Sequence, residues 1–201
     1  MYLKVIGLCG GSGSGKGAVC SAFQALGAPT IDTDAVYHEV TSYPSKCLLE
    51  LAAEFGDEII KDGALDRRTL ASRVFGADAT AEKRERLNKI THKYVLDEAR
   101  TRISAFEKAG HKLAVVDAPL LFESGFNNEC DVVIAVVANI DVRIQRIVAR
   151  DNITAEHAKA RIASQLTDSW LAEHSDIVIE NNGDMSALIS QVNEIYKKIT
   201  I

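Results

Sequence analysis

Gly10-Gly11-Ser12-Gly13-Ser14-Gly15-Lys16 follows the apolar run Leu3 to Leu8 and precedes a helical run from Ala18 to Leu26. Glycines let the backbone wrap so that successive N–H groups point inward. The next helix adds its positive N-terminal end, and Lys16 supplies a point charge for the β and γ phosphates of a triphosphate. Strand, glycine loop and helix in that order predict a phosphate cradle made by Gly11, Ser12, Gly13, Ser14, Gly15, Lys16, Gly17 and Ala18. The motif is incomplete, because the position after the lysine normally carries a Ser or Thr hydroxyl for Mg²⁺, and here Gly17 is followed by Ala18. Phosphate cradling survives that change, but one direct metal ligand does not.

Outward from the loop, short apolar runs recur at Pro29 to Ile31, Leu113 to Val116, Val132 to Val137 and Ile177 to Ile179, with helical stretches between them. This alternation predicts an α/β fold in which a parallel sheet is covered by helices on both faces. Leu113 to Val116 and Val132 to Val137 are apolar at successive positions, as expected of central strands. The chain is expected to form one P-loop domain. Its core would comprise 1–35, 111–145 and 167–201, with a helical insertion over 36–110 and a small lid over 146–166. No strand is expected in the insertion. There, Leu48, Leu51, Ala52 and Phe55 fall on one helical face, as do Leu87, Ile90, Tyr94 and Val95.

A net charge of -5 over 201 residues argues against general nucleic-acid binding, so an anionic ligand must be held by a local basic cluster. Cys9, Cys20, Cys47 and Cys130 form no CxxC pair, and the five histidines show no HExxH spacing. Free thiols in a reducing cytosol are expected, with Cys9 as a small core residue. The first apolar run is too short for a membrane span or a signal segment, so neither export nor a membrane partner is expected.

Asp32 and Asp34 follow the second apolar run, at the carboxyl edge where open α/β sheets bind ligands. One of the pair is expected to cap the next helix, and Asp34 is the candidate base that orients an acceptor hydroxyl and takes its proton. Asp117 ends the third run, the pattern of a residue that holds Mg²⁺, often through water. Arg143, Arg146 and Arg150 are spaced i, i+3, i+7 on a predicted helix whose opposite stripe is Ile140, Ile144, Ile147 and Val148. Three guanidinium groups would then face one way, either as a solvated surface or as stabilisers of a transferring phosphoryl group. Arg161 sits on a second short helix beginning near Thr154, and the segment between could close over ATP.

With these residues in place, the sequence resembles the dephospho-CoA kinase family from end to end. The matching segments are Gly10 to Lys16, Ile31-Asp32-Thr33-Asp34, Phe55-Gly56, Asp62-Gly63-Ala64-Leu65-Asp66-Arg67, and Leu87-Asn88 with Ile90 and His92. Asp117-Ala118-Pro119-Leu120-Leu121-Phe122-Glu123, Arg146 with Arg150, Arg161 with Gln165, and Asp176 to Gly183 complete them. The resemblance implies a five-stranded P-loop core, a helical CoA-binding region and a lid. It implies ATP as phosphoryl donor, Mg²⁺ as cofactor, and the 3′-hydroxyl of dephospho-coenzyme A as acceptor, in the last step of coenzyme A synthesis. By position it makes Asp34 the base, Lys16 the phosphate lysine, and Arg146 and Arg150 the lid arginines. Arg67, His92, Leu120, Leu121, Phe122, Glu123 and Arg161 fall around the acceptor, and Asn182 and Gly183 on the adenine side. A monomer or weak homo-oligomer is expected.

The sequence departs from the family pattern at Cys9, Gly17, Ala18, Arg143 and Lys93, where Thr, Ser, Thr, Gln and Pro are usual. Three of these changes remove hydroxyls around the nucleotide site. A catalytically weakened nucleotide-binding protein and a kinase for another nucleoside or nucleotide therefore stand beside the main expectation.

Overall fold

Along the chain the elements are β1 (Lys4–Cys9), α1 (Lys16–Ala25), β2 (Thr30–Asp32), α2 (Thr33–Val40), α3 (Lys46–Phe55), β3 (Ile60–Lys61), β4 (Ala64–Leu65), α4 (Arg67–Phe75) and α5 (Ala81–Lys108). They continue as β5 (Leu113–Asp117), β6 (Val132–Val137), α6 (Ile140–Asp151), α7 (Ala155–Ala163), α8 (Asp168–Glu173), β7 (Ile177–Glu180) and α9 (Met185–Thr200). They come from a computed structural model that describes residues 2–42, 44–76 and 79–200. The chain divides into two compact units, Met1–Asp32 with Ile103–Ile201, and Thr33–Arg102.

The first unit is built on a five-stranded parallel sheet in the order β2-β5-β1-β6-β7. The continuous apolar runs become its inner strands: Leu113 to Val116 and Val133 to Val136 are buried at every position. Alternate strand residues meet one helical layer, in which Ile6, Leu8, Leu113, Val115, Ile134, Val136 and Ile179 pack with Val19 and Phe23 of α1 and Leu188, Val192, Ile195 and Ile199 of α9. Parallel pairing brings the carboxyl ends of the strands to one edge. Leu8 and Asp32 both pair in register with Asp117 there.

The second unit has its own core, where Cys47, Leu51, Ala52 and Phe55 of α3 meet Ile59, Leu70 and Val74 of the following turn and α4, and Ile90 of α5. Its helices start on side-chain caps. Ser45 Oγ accepts from the Leu48 amide at 3.0 Å, and Asp66 Oδ1 accepts from the Arg68 and Thr69 amides at 3.0 and 3.1 Å. The expectation of no strand in this stretch is corrected: β3 and β4 pair antiparallel across Asp62 and Gly63. Both turn residues have positive φ, 52° and 75°, the backbone that Asp-Gly adopts most readily in a tight hairpin. Two-residue strands are too short to show an alternating pattern, so the turn dipeptide was their sole signal.

Candidate active site

The loop after β1 can take its shape only with glycine at several positions. Gly13 (φ 79°) lies so close to α6 that a Cβ would come within 2.6 Å of the Arg143 carbonyl oxygen. At Gly15 (φ 101°) a Cβ would overlap the Asn181 amide nitrogen. The loop backbone is therefore packed against α6 and the end of β7; the Ser12 amide donates to Gln165 Oε1 and the Ser14 amide to the Gly11 carbonyl, so a ligand would be met by the other amides of the loop. Ser14 is wholly buried, and its hydroxyl finds no hydrogen-bond partner among the described residues. A buried polar oxygen of that kind is satisfied when a ligand with oxygen or water partners occupies the cradle.

Lys16 begins α1, and its Nζ lies 3.7 Å from Asp117 Oδ1 at the end of β5. Cys20, one turn further along α1, donates its thiol hydrogen to Asp117 Oδ2 at 3.6 Å. Burial, and then the neighbouring Asp117 charge, hold the Cys20 thiol well above its ordinary range, so it acts here as a neutral donor. Around Gly17 nothing lies within 4 Å of where a Cβ would be. Among the described residues no group of three or more His, Cys, Asp or Glu could hold a metal ion. A lysine-flanked carboxylate beside a phosphate cradle still fits Mg²⁺, which keeps several waters and takes one or two carboxylates plus phosphate oxygens. It does not fit an ion that needs a cage of protein ligands.

The arginine row is corrected. Arg143 is buried, with its side chain 4% exposed, and shares the inner face of α6 with Ile147, while Ile140, expected in the apolar stripe, is 56% exposed. Arg146 reaches the loop, its Nη1 donating to the carbonyls of Gly13 and Ser14 at 3.3 Å each. Arg150 turns to its neighbour instead, with two bonds to Asp151 at 2.7 and 2.9 Å, and Arg161 of α7 binds the same carboxylate. Arg150 and then Arg161 hold the Asp151 carboxyl well below the usual carboxylate range. The structure thus brings Arg146 to the cradle and gathers Arg150 and Arg161 on Asp151.

Asn182 Oδ1 accepts from the Asn139 amide at 2.7 Å and so caps the start of α6, with Gly183 exposed beside it. The neighbour that grips the cradle is Asn181. It is buried and donates from Nδ2 to the Ser14 carbonyl at 2.7 Å. Sequence reading singled out Asn182 and Gly183 and passed over Asn181; an amide side chain directly after an apolar strand was the available signal.

Of the stretch after β5, Leu120 is half exposed and Glu123 exposed, whereas Leu121 is fully buried against Gly7 of β1 and belongs to the core. Leu120, Phe122 and Glu123 line a cleft of ≈ 100 Å³ with Gly10, Gly11 and Gln165. Phe122 sets its edge against the Trp170 ring at 5.0 Å, and Trp170 stacks on His174 at 3.8 Å. In the second unit, Asp34 lies in the first turn of α2. Arg67 begins α4, pairs with His38 Nδ1 and lies 5.9 Å from the Tyr37 ring centre. His92 is half-buried on α5.

With this geometry, residues 4–187 match the model of the dephospho-CoA kinase family. A dephospho-CoA kinase of Corynebacterium glutamicum is 36% identical over 195 residues, covering 96% of each chain. One from Anaeromyxobacter dehalogenans is 39% identical over 194 residues, covering 96% of this chain and 90% of the relative. The solved dephospho-CoA kinase of Campylobacter jejuni superimposes with a TM-score of 0.72 at 22% identity, over 99% of this chain and 98% of that one. At that identity the likeness bears on the fold alone.

Proposed function

The chain belongs to the dephospho-CoA kinase family, and we propose from that membership how its own residues divide the work of moving a phosphoryl group from ATP to dephospho-coenzyme A. The 3′-hydroxyl oxygen of the acceptor attacks the γ-phosphorus while the bond from that phosphorus to ADP breaks, and the hydroxyl proton passes to Asp34. This is the last step of coenzyme A synthesis. The observation that carries the reading is the loop from Gly10 to Lys16, whose glycines are packed too tightly for side chains and whose lysine stands beside Asp117.

In this reading the loop from Gly11 to Ala18, through those of its amides not bonded within the protein, and the ammonium of Lys16 hold the β and γ phosphates. Arg146, already at the loop carbonyls, stabilises charge on the transferring group. Arg150 and Arg161 act from the lid side after leaving Asp151, Arg150 on the phosphoryl group and Arg161 on the acceptor. Asn182 and Gly183 border the adenine. Leu120, Phe122 and Glu123 contact the acceptor, as do Arg67 and His92; Leu121 supports them from the core. Bound Mg²⁺ would neutralise charge on the β and γ oxygens, with Asp117 and Lys16 setting its surroundings. A cytoplasmic setting suits the four free thiols. No helix among the described residues is long and apolar enough to cross a membrane.

A coupled assay offering ATP with dephospho-coenzyme A, adenosine or AMP tests the reading. ADP release is expected with dephospho-coenzyme A and at background with the other two. Equal turnover of AMP would assign the site to a nucleotide kinase, and no turnover with any acceptor would leave a nucleotide-binding protein.

A further inference from the structure

Arg143 is the most enclosed cation of the first unit's nucleotide site, yet each of its three guanidinium nitrogens has an acceptor inside the protein. Nε donates to the Ser12 carbonyl at 2.9 Å, Nη1 to Asp168 Oδ1 at 2.6 Å, and Nη2 lies 3.5 Å from Gln165 Oε1. The same Gln165 oxygen accepts from the Ser12 amide at 2.9 Å. Ser12, in the middle of the phosphate loop, is therefore gripped through both of its backbone polar groups. The guanidinium lies close against the loop, since a Cβ on Gly11 would overlap Nη2. Asp168 is anchored in turn: it opens α8, and its Oδ2 accepts from the Ala138 amide at 3.5 Å, just before α6.

We infer that Arg143 is a positioning residue: Asp168 fixes its guanidinium, the guanidinium and Gln165 fix Ser12, and the neighbouring loop amides are thereby preset for the phosphates without Arg143 touching the nucleotide. The inference rests on the reading of the loop as the ATP site. A cation beside a polyanion site is ordinarily assigned to the anion itself. Here the fork that would clasp a phosphate is spent on a carbonyl and a carboxylate, and the side chain is only 4% exposed. Presetting the amides matters because donors already aimed at the phosphates need no reorganisation when ligand arrives.

The two roles give opposite signs on removing the Asp168 charge. If Arg143 served the phosphates, Asp168→Asn would release it and delete a negative charge near a polyanion, so ATP would bind equally or more tightly. If Arg143 positions the loop, Asp168→Asn loosens it and ATP binds more weakly, by about tenfold or more, on the scale of losing the partner that orients a binding group. Metal-free ATP affinity should be measured by calorimetry for wild type, Asp168→Asn, Arg143→Lys and the double variant, with affinity for dephospho-coenzyme A as control. Both single variants are expected to weaken ATP, the double variant to be no worse than the poorer single, and acceptor affinity to stay within about twofold. Tighter or unchanged ATP binding in Asp168→Asn, additive losses in the double variant, or a parallel loss of acceptor binding would overturn the inference. If Asp168→Asn fails to fold, Asp168→Glu keeps the charge and lengthens the arm: weaker ATP binding supports positioning, and unchanged binding refutes it. A wild type that bound no ATP would overturn the nucleotide-site reading along with the inference.

Discussion

Gly17 is the residue at which this chain departs most from a complete phosphate loop, and the structure shows what a replacement would meet. It is the second residue of α1, and a Cβ there has open space around it. Gly17→Ser should cause no clash and raise helix stability by about 0.5 kcal/mol. It would supply a hydroxyl where Mg²⁺ otherwise takes water, so the Mg²⁺ concentration for half-maximal rate should fall at saturating ATP and dephospho-coenzyme A. A metal titration that superimposes on wild type would end the idea of a metal-site deficit. Asp117→Asn should be strongly damaging in the same titration, because the carboxylate beside Lys16 is the acidic group proposed to order the metal's waters. Asn181 carries a separate expectation. Its buried amide is bonded to the Ser14 carbonyl, so Asn181→Ala leaves that carbonyl with only the longer bond from Arg146 and should cost about 1 kcal/mol of stability. The KM for ATP should rise more than kcat falls; denaturant unfolding and steady-state kinetics on the one variant separate the two effects.

Helix α6 shows why a helical wheel misassigned its residues. Arg143 and Arg150 are seven apart and share nearly the same angle, yet one is buried and the other exposed. They differ by about 10 Å along the axis, which a projection down that axis discards. At the Arg143 level the helix lies against the phosphate loop; at Arg150 it has passed beyond it, and its C-cap Asn152 already turns the chain with φ 52°. Ile140 and Ile147 make the same point in apolar residues, one 56% exposed and the other fully buried. Ile147→Ala should therefore destabilise by about 2–5 kcal/mol, and Ile140→Ala by no more than about 0.5 kcal/mol. Comparable losses in paired denaturant titrations of the two variants would mean that Ile140 packs against something. The Asp62-Gly63 hairpin was missed for a related reason. Periodicity needs several residues to register, and strands of two are set by their turn alone.

For the whole molecule, what could be read from sequence was what repeated short apolar runs impose: the five strands, the inner ones buried on both faces, their parallel pairing and the loop at their carboxyl edge. What could not be read was long-range pairing of polar groups, such as Arg143 with Asp168 or Asn181 with Ser14, because nothing in local pattern records which donor meets which acceptor. The thiols join composition to a property of the entire fold. All four are free, so a reductant should leave the melting temperature unchanged. Burial is the leading cause that pushes Cys47, in the second unit, up to about 11 and Cys130, in the first, up to about 12, from an ordinary 9.0. A thiol whose folded pKa lies above its unfolded value contributes stability that is fully present below pH 9. That contribution is lost as pH rises through the folded value, because the unfolded chain releases the proton first. The melting temperature should therefore fall between about pH 9 and pH 12, and less steeply in Cys47→Val, which removes one of the titrating groups. At pH 8 iodoacetamide should alkylate the native protein far more slowly than the same protein in denaturant, since the thiolate is the reacting form. Native and denatured rates that agree, together with an unchanged alkaline slope in Cys47→Val, would show that these thiols are open to solvent.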